Sequence, residues 1–151
     1  MSKKNCILEK ELIIETKGLK DLAAAAEKLM AFGSDYNVWL MNGDMGAGKT
    51  TLTIALCKAL GVVDDPTSPT YSLVNEYRTE DGLPVYHFDF YRIHDEAEAE
   101  EIGAEEYFYS EGYCFIEWSS LIPSLIPDRH LLVDIDVINE TNRLIKVTRN
   151  G

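Results

Sequence analysis

The spacing of apolar residues changes repeatedly along the chain, and each change marks an element. Glu11-Leu12-Ile13-Ile14 reads as a short strand, after which Leu19, Leu22, Ala23, Ala26, Leu29 and Met30 recur at helical spacing as far as Gly33. Val38-Trp39-Leu40-Met41 is an unbroken apolar run, the pattern of a strand covered on both faces in a parallel sheet, and it feeds a glycine-rich turn. A helix is expected from Lys49 to Leu60, stopped by Gly61. Pro66 and Pro69 make 64–70 a loop, because residues before proline are pushed away from helix. Tyr71 to Tyr77 and Leu83 to Asp89 flank Thr79-Glu80-Asp81-Gly82, which predicts an antiparallel hairpin. A helical acidic stretch runs to Ile102, and Tyr113-Cys114-Phe115-Ile116 is another buried-type strand. His130 to Ile138 and Arg143 to Thr148, joined by Asn139-Glu140-Thr141-Asn142, form a closing hairpin. The prediction is an α/β fold, a mixed sheet flanked by helices with antiparallel hairpins. No repeat or low-complexity linker interrupts it, so 1–151 is expected to be one domain.

Charge narrows the function. The formal net charge is −12, and between Lys58 and Arg143 the cationic side chains are Arg78, Arg92 and Arg129, a poor supply for neutralising phosphodiesters. Strong direct binding to nucleic acid is therefore not expected. Much of the acidity lies in Asp95-Glu96-Ala97-Glu98-Ala99-Glu100-Glu101, read as a solvated helix face. No apolar run approaches the roughly 18 residues of a membrane span, and the first residues lack an export signal, so a cytoplasmic location is expected. Cys6, Cys57 and Cys114 are odd in number and far apart, which fits buried thiols in a reducing compartment. With His87, His94 and His130 they show no zinc-ligand spacing.

The sharpest signal is Gly43-Asp44-Met45-Gly46-Ala47-Gly48-Lys49-Thr50, which matches G-x-x-x-x-G-K-[ST] between a predicted buried strand and a predicted helix. Chance yields the pattern in roughly one chain of this length in a few hundred. Its glycines let the backbone curl with N–H groups pointing inward, and the following helix adds its positive end. The phosphates of ATP are expected on Asp44, Met45, Gly46, Ala47, Gly48, Lys49, Thr50 and Thr51. Lys49 supplies a full positive charge, and the Thr50 hydroxyl is small enough to ligate Mg2+. Phosphoryl chemistry also needs a carboxylate for the metal and a group to position water. Asp89 and Glu117 each end a predicted strand and qualify, without spacing alone dividing the roles. Thr67, Ser68 and Thr70 follow the helix, where nucleotide switches often place a hydroxyl that senses the terminal phosphate, although on the residues alone a turn-forming role is the better reading.

With these segments assembled, the chain resembles the TsaE family, also called YjeE, over nearly its whole length. Beyond the glycine-rich loop, the matching segments are Ser68-Pro69-Thr70-Tyr71, His87-Phe88-Asp89-Phe90-Tyr91-Arg92, Glu101-Ile102-Gly103 and Ile116-Glu117-Trp118. The resemblance implies a Mg-dependent ATPase needed to make threonylcarbamoyladenosine in transfer RNA, acting on TsaD-like and TsaB-like partners rather than on the base. By the same resemblance Thr50 and Glu117 hold Mg2+, Asp89 acts near the terminal phosphate, and Thr70 belongs to a nucleotide-sensitive loop. It further implies that Thr16 helps hold the adenine end and that the turn at Asn142 and Arg143 approaches the nucleotide.

Two rival readings remain at this level. A small-molecule P-loop kinase would need an acceptor site and several clamping arginines, and between Lys58 and Arg129 there are only Arg78 and Arg92. A pure ATP binder would leave Asp89 and Glu117 without catalytic work. Guanine nucleotide is disfavoured because no Asn-Lys-x-Asp element occurs.

Overall fold

The apolar runs read as doubly covered strands form the middle of one seven-stranded sheet. The computed structural model describes residues 9–67, 69 and 72–151. Strand β1 (Glu11–Lys17) is followed by a 3-10 turn at Leu19–Asp21, helix α1 (Leu22–Gly33), β2 (Val38–Asn42) and α2 (Lys49–Ala59). Then come β3 (Val74–Arg78), β4 (Pro84–Asp89), two short helices α3 (Glu96–Glu101) and α4 (Ala104–Phe108), and β5 (Tyr113–Glu117). After two further 3-10 turns, β6 (His130–Val137) and β7 (Asn142–Asn150) close the order. Across the sheet the strands run β1-β7-β6-β2-β5-β4-β3. The inner set β6-β2-β5-β4 is parallel, while β3 on one side and β7 and β1 on the other pair antiparallel. The expected mixed α/β fold is therefore present.

Alternation along the inner strands decides what each face does. Trp39, Met41, Val85, Phe115, Leu131 and Val133 share one core with Ala26 and Leu29 of α1 and Leu52, Leu56 and Cys57 of α2. Val38, Leu40, Phe88, Cys114 and Ile116 share the other with Ala99, Ala104, Phe108, Ile122 and Leu125. On β4 and β5 the first face turns polar toward the C-terminal ends, where His87, Asp89 and Glu117 continue the rows begun by Val85 and Phe115. Those ends lie beside the start of α2, which is how the sheet delivers carboxylates to the glycine-rich loop.

Local differences from the pattern have local causes. β1 continues to Lys17 because seven residue pairs with β7 hold it, from Glu11 opposite Thr148 to Lys17 opposite Asn142. The first helix starts three residues later than its first leucine: Gly18 has φ 124°, and the Asp21 carboxylate accepts the Lys17 N–H at 2.7 Å. The acidic helix ends before Gly103, whose φ of 75° breaks it, and α4 follows as a separate turn that apolar spacing did not predict. The hairpin between β3 and β4 reverses where expected, with Gly82 at φ 85° and its N–H on the Thr79 carbonyl at 2.9 Å. The expected start of that strand at Tyr71 and the Cys6 expectation lie outside the described residues. Cys57 and Cys114 are buried and free, and burial pushes both thiols up to about 12. Among the described residues no helix is long and apolar enough to cross a membrane.

Candidate functional site

The glycine-rich loop leaves β2 at Asn42 and enters α2 at Lys49. Gly46 (φ 82°) and Gly48 (φ 107°) occupy the left-handed region that side chains resist, so the backbone can curl there. The Ala47 N–H closes a turn on the Asp44 carbonyl at 2.9 Å. Lys49, Thr50 and Thr51 form the first turn of α2, where a helix leaves its N–H groups unpaired and carries its positive end. Left-handed glycines followed by a helix start are the ingredients of an anion-binding nest.

Around the loop stand the charged residues. Lys49 is 6% exposed. Its Nζ donates to the carbonyls of Gly43 at 2.5 Å and Asp44 at 3.4 Å, and lies 4.2 Å from the centre of the Trp118 ring. The Thr50 hydroxyl donates to Oε2 of Glu117 at 2.7 Å, and the same oxygen lies 2.6 Å from Nε2 of His87. Asp89 sits beside Glu117 in the β4–β5 register, and its Oδ1 accepts the Tyr91 N–H at 3.0 Å. Burial pushes the Asp89 carboxyl above its ordinary value, opposed by the Tyr91 N–H and reinforced by the negative charge of Glu117. A cavity of about 290 Å3 is lined by Met45, Gly46, Gly48 to Thr51, Asp89, Tyr91, Glu117 and Trp118. A hydroxyl and carboxylates are hard oxygen donors, and Mg2+ takes few protein ligands because it keeps much of its water, so this donor set fits Mg2+.

On the other side of the loop a cavity of about 360 Å3 is lined by Thr16, Leu19, Leu22, Gly46 to Gly48, Thr51, Glu140, Thr141 and Arg143 among others. Its apolar walls and few polar groups suit a flat base. Thr16 pairs with Arg143 across β1 and β7, and Arg143 Nε donates to the Ala47 carbonyl at 2.9 Å. Asn142 is not in that lining; its carbonyl accepts the Ile138 N–H at 3.0 Å and closes the hairpin, while Glu140 and Thr141 face the cavity. Exposed Asp44 lines a third cavity, with Asp134 and Asp136, which Asp89 and Glu117 do not line. Thr70 and Ser68 lie outside the described residues. Thr67 has its N–H and carbonyl engaged by the Tyr77 hydroxyl, at 2.9 and 2.7 Å.

The family model described as Threonylcarbamoyl adenosine biosynthesis protein TsaE matches residues 16–145. The chain belongs to the TsaE family. Its similarity to the tRNA threonylcarbamoyladenosine biosynthesis protein TsaE of Bacillus subtilis is 37% identity over 143 residues, covering 94% of this chain and 88% of that one. The TsaE protein of Aquifex aeolicus is 33% identical over 144 residues, 94% of this chain and 98% of that one. A crystal structure of YdiB from Bacillus subtilis superposes with a TM-score of 0.73 at 33% identity, covering 94% of this chain and 87% of that one. TsaE membership ties the chain to transfer RNA threonylcarbamoyladenosine biosynthesis, and its P-loop fold suggests nucleotide binding.

Reading the residues in order gave His87 of this TsaE site no role, and left Trp118, next to Glu117, between a place near the site and core packing. His87 is 1% exposed against Glu117, and Trp118, in a left-handed conformation at φ 60°, lies over Lys49. The signal for His87 was present: a polar residue two before Asp89 falls on the same face of β4. For Trp118 adjacency to Glu117 left both readings open, because its placement depends on the turn that ends β5, and the structure puts it at the site. The acidic segment also has structural work: Glu96 accepts the N–H and hydroxyl of Ser124 at 2.9 and 2.7 Å.

Proposed function

We propose that the protein binds Mg-ATP and hydrolyses it slowly, as a nucleotide-dependent regulator of a TsaD-like and TsaB-like transferase complex. The observation that carries this reading is the hydrogen bond from Thr50 in the loop to Glu117 at the end of β5, with Asp89 on the adjacent strand facing the same cavity. Lys49 and the loop amides of residues 44 to 51 would hold the phosphates. Thr50 and Glu117 would hold Mg2+, which when bound neutralises phosphate charge. Asp89, its carboxyl raised by burial, would orient the attacking water and take up its proton beside the terminal phosphate. Thr16, with Arg143 behind the loop, would hold the adenine end, and by the family resemblance Thr70 and Asn142 would add to nucleotide binding.

Net charge of −12 supports a regulator that leaves tRNA contact to its partners. The continuous sheet supports one P-loop ATPase domain over 1–151, and two buried free thiols fit a reducing cytoplasmic setting. Phosphate release measured with and without TsaD and TsaB tests the reading. Turnover is expected to rise with both partners and to fall by about 100-fold or more in Asp89→Ala, since a positioned acid or base contributes 10²–10⁴-fold. Equal turnover alone and with partners would remove the regulator, and phosphate appearing on an acceptor instead of in water would restore the kinase.

A further inference from the structure

We propose that His87 is a positioning residue that holds the Glu117 carboxylate in place for a divalent cation. The inference rests on the Mg-ATP reading above and adds to it a residue to which no role has been given. The two side chains are 1% and 4% exposed, and Nε2 of His87 lies 2.6 Å from Oε2 of Glu117. Oε2 also accepts the Thr50 hydroxyl at 2.7 Å. An ionised Glu117, the form that binds a cation, makes Nε2 of His87 a donor as well. Two donors from different elements, α2 and β4, then converge on one oxygen and remove the rotation that a carboxylate held by a single bond keeps.

Which oxygen is held matters. Among the described residues no donor reaches Oε1, and Glu117 lines the cavity beside the loop, so Oε1 is the oxygen left for the cation or its waters. Thr50 spends its hydrogen on Oε2 and keeps its oxygen lone pairs for the same cation. The frame behind the pair is rigid: Phe115 stands opposite His87 and Glu117 opposite Asp89 on parallel strands, and the segment from Val85 to Phe88 is buried. His87 is not among the residues lining that cavity, so it would set the carboxylate from behind it.

The test measures equilibrium binding of a fluorescent ATP analogue, first in EDTA and then across a Mg2+ titration, in the wild type, His87→Leu and His87→Gln. His87→Leu is expected to match the wild type within about twofold in EDTA, yet to need 10–100-fold more Mg2+, the usual loss when the group behind a metal ligand is removed. His87→Gln, whose amide nitrogen can reach the position of Nε2, is expected to recover most of that loss. A merely structural histidine would shift both conditions together or neither, and either result overturns the proposal. Should His87→Leu fail to fold, His87→Asn carries the same expectation, because its shorter amide falls away from Glu117. A wild type whose ATP affinity ignores Mg2+ would overturn the Mg-ATP reading itself, which no behaviour of the variants alone can do.

Discussion

Asp89 carries a cost in the free protein that its proposed role explains. Half-buried and beside Glu117, its carboxyl is harder to ionise than in the unfolded chain. Below the ordinary aspartate range both states hold the proton and nothing is lost. As pH rises from there through the raised native value, the unfolded chain ionises first and the native state loses stability. Asp89→Asn keeps an oxygen to accept the Tyr91 N–H and has no charge to bury. The variant is therefore expected to be more stable than the wild type at pH 7 in urea unfolding, with the difference shrinking toward pH 4. A constant difference at both values would mean that ionisation is not the cause. At this scale the residues by themselves showed which types the site needs, and only the family resemblance paired Thr50 with Glu117. Thr50 and Glu117 are 67 residues apart, and His87 and Glu117 are 30 apart. Both contacts exist only because β4 and β5 lie side by side at the helix end, which no local pattern encodes.

At the scale of elements, the same residue type ends both helices that carry the site, for different reasons. Gly33 closes α1 against the sheet, and a Cβ there would lie 2.6 Å from Leu131 Cδ2 and 2.8 Å from Trp39 Cζ2. Gly61 follows α2 at φ 82° with no atom beyond its chain neighbours within 4 Å of where its Cβ would be. One position lacks space and the other lacks conformational freedom for a side chain. Gly33→Ala is expected to cost about 1–3 kcal/mol by overpacking, and Gly61→Ala a similar amount by backbone strain. Asparagine separates them: it tolerates the left-handed region, so Gly61→Asn should cost less than Gly61→Ala, whereas the bulkier Gly33→Asn should cost more than Gly33→Ala. Denaturant unfolding of the four variants checks the reversal in rank. Elements with long apolar runs, such as Val38 to Met41, were legible because burial on both faces leaves one reading. Helix α4 was not, since the five residues of Ala104–Phe108 are too few to display a period. Nor was the insertion of β7 between β1 and β6, which rests on pairings 125 to 137 positions apart for β1 and short-range ones for β6.

For the whole molecule, the site draws on parts that lie far apart along the chain. The cavity behind the loop takes residues from β1, α1, α2, β6 and β7, and the one in front adds the ends of β4 and β5. A ligand spanning both contacts most of the fold at once, so its binding energy appears as global stability. If only the native state binds, Mg-ATP at 100 times its dissociation constant adds about 2.7 kcal/mol. For a chain of this size each kcal/mol raises the melting temperature by about 2–4 °C, so a rise of roughly 5–11 °C is expected. Lys49→Ala should abolish most of it, because losing a charged hydrogen-bond donor costs about 1.5–3 kcal/mol of affinity. Transfer RNA in place of nucleotide should leave the midpoint where it was at 150 mM salt, since a chain of net charge −12 has little with which to release counterions. A melting point raised by transfer RNA and unmoved by millimolar Mg-ATP would exchange the two ligands' places, and the loop, the carboxylates and the charge would all need another account.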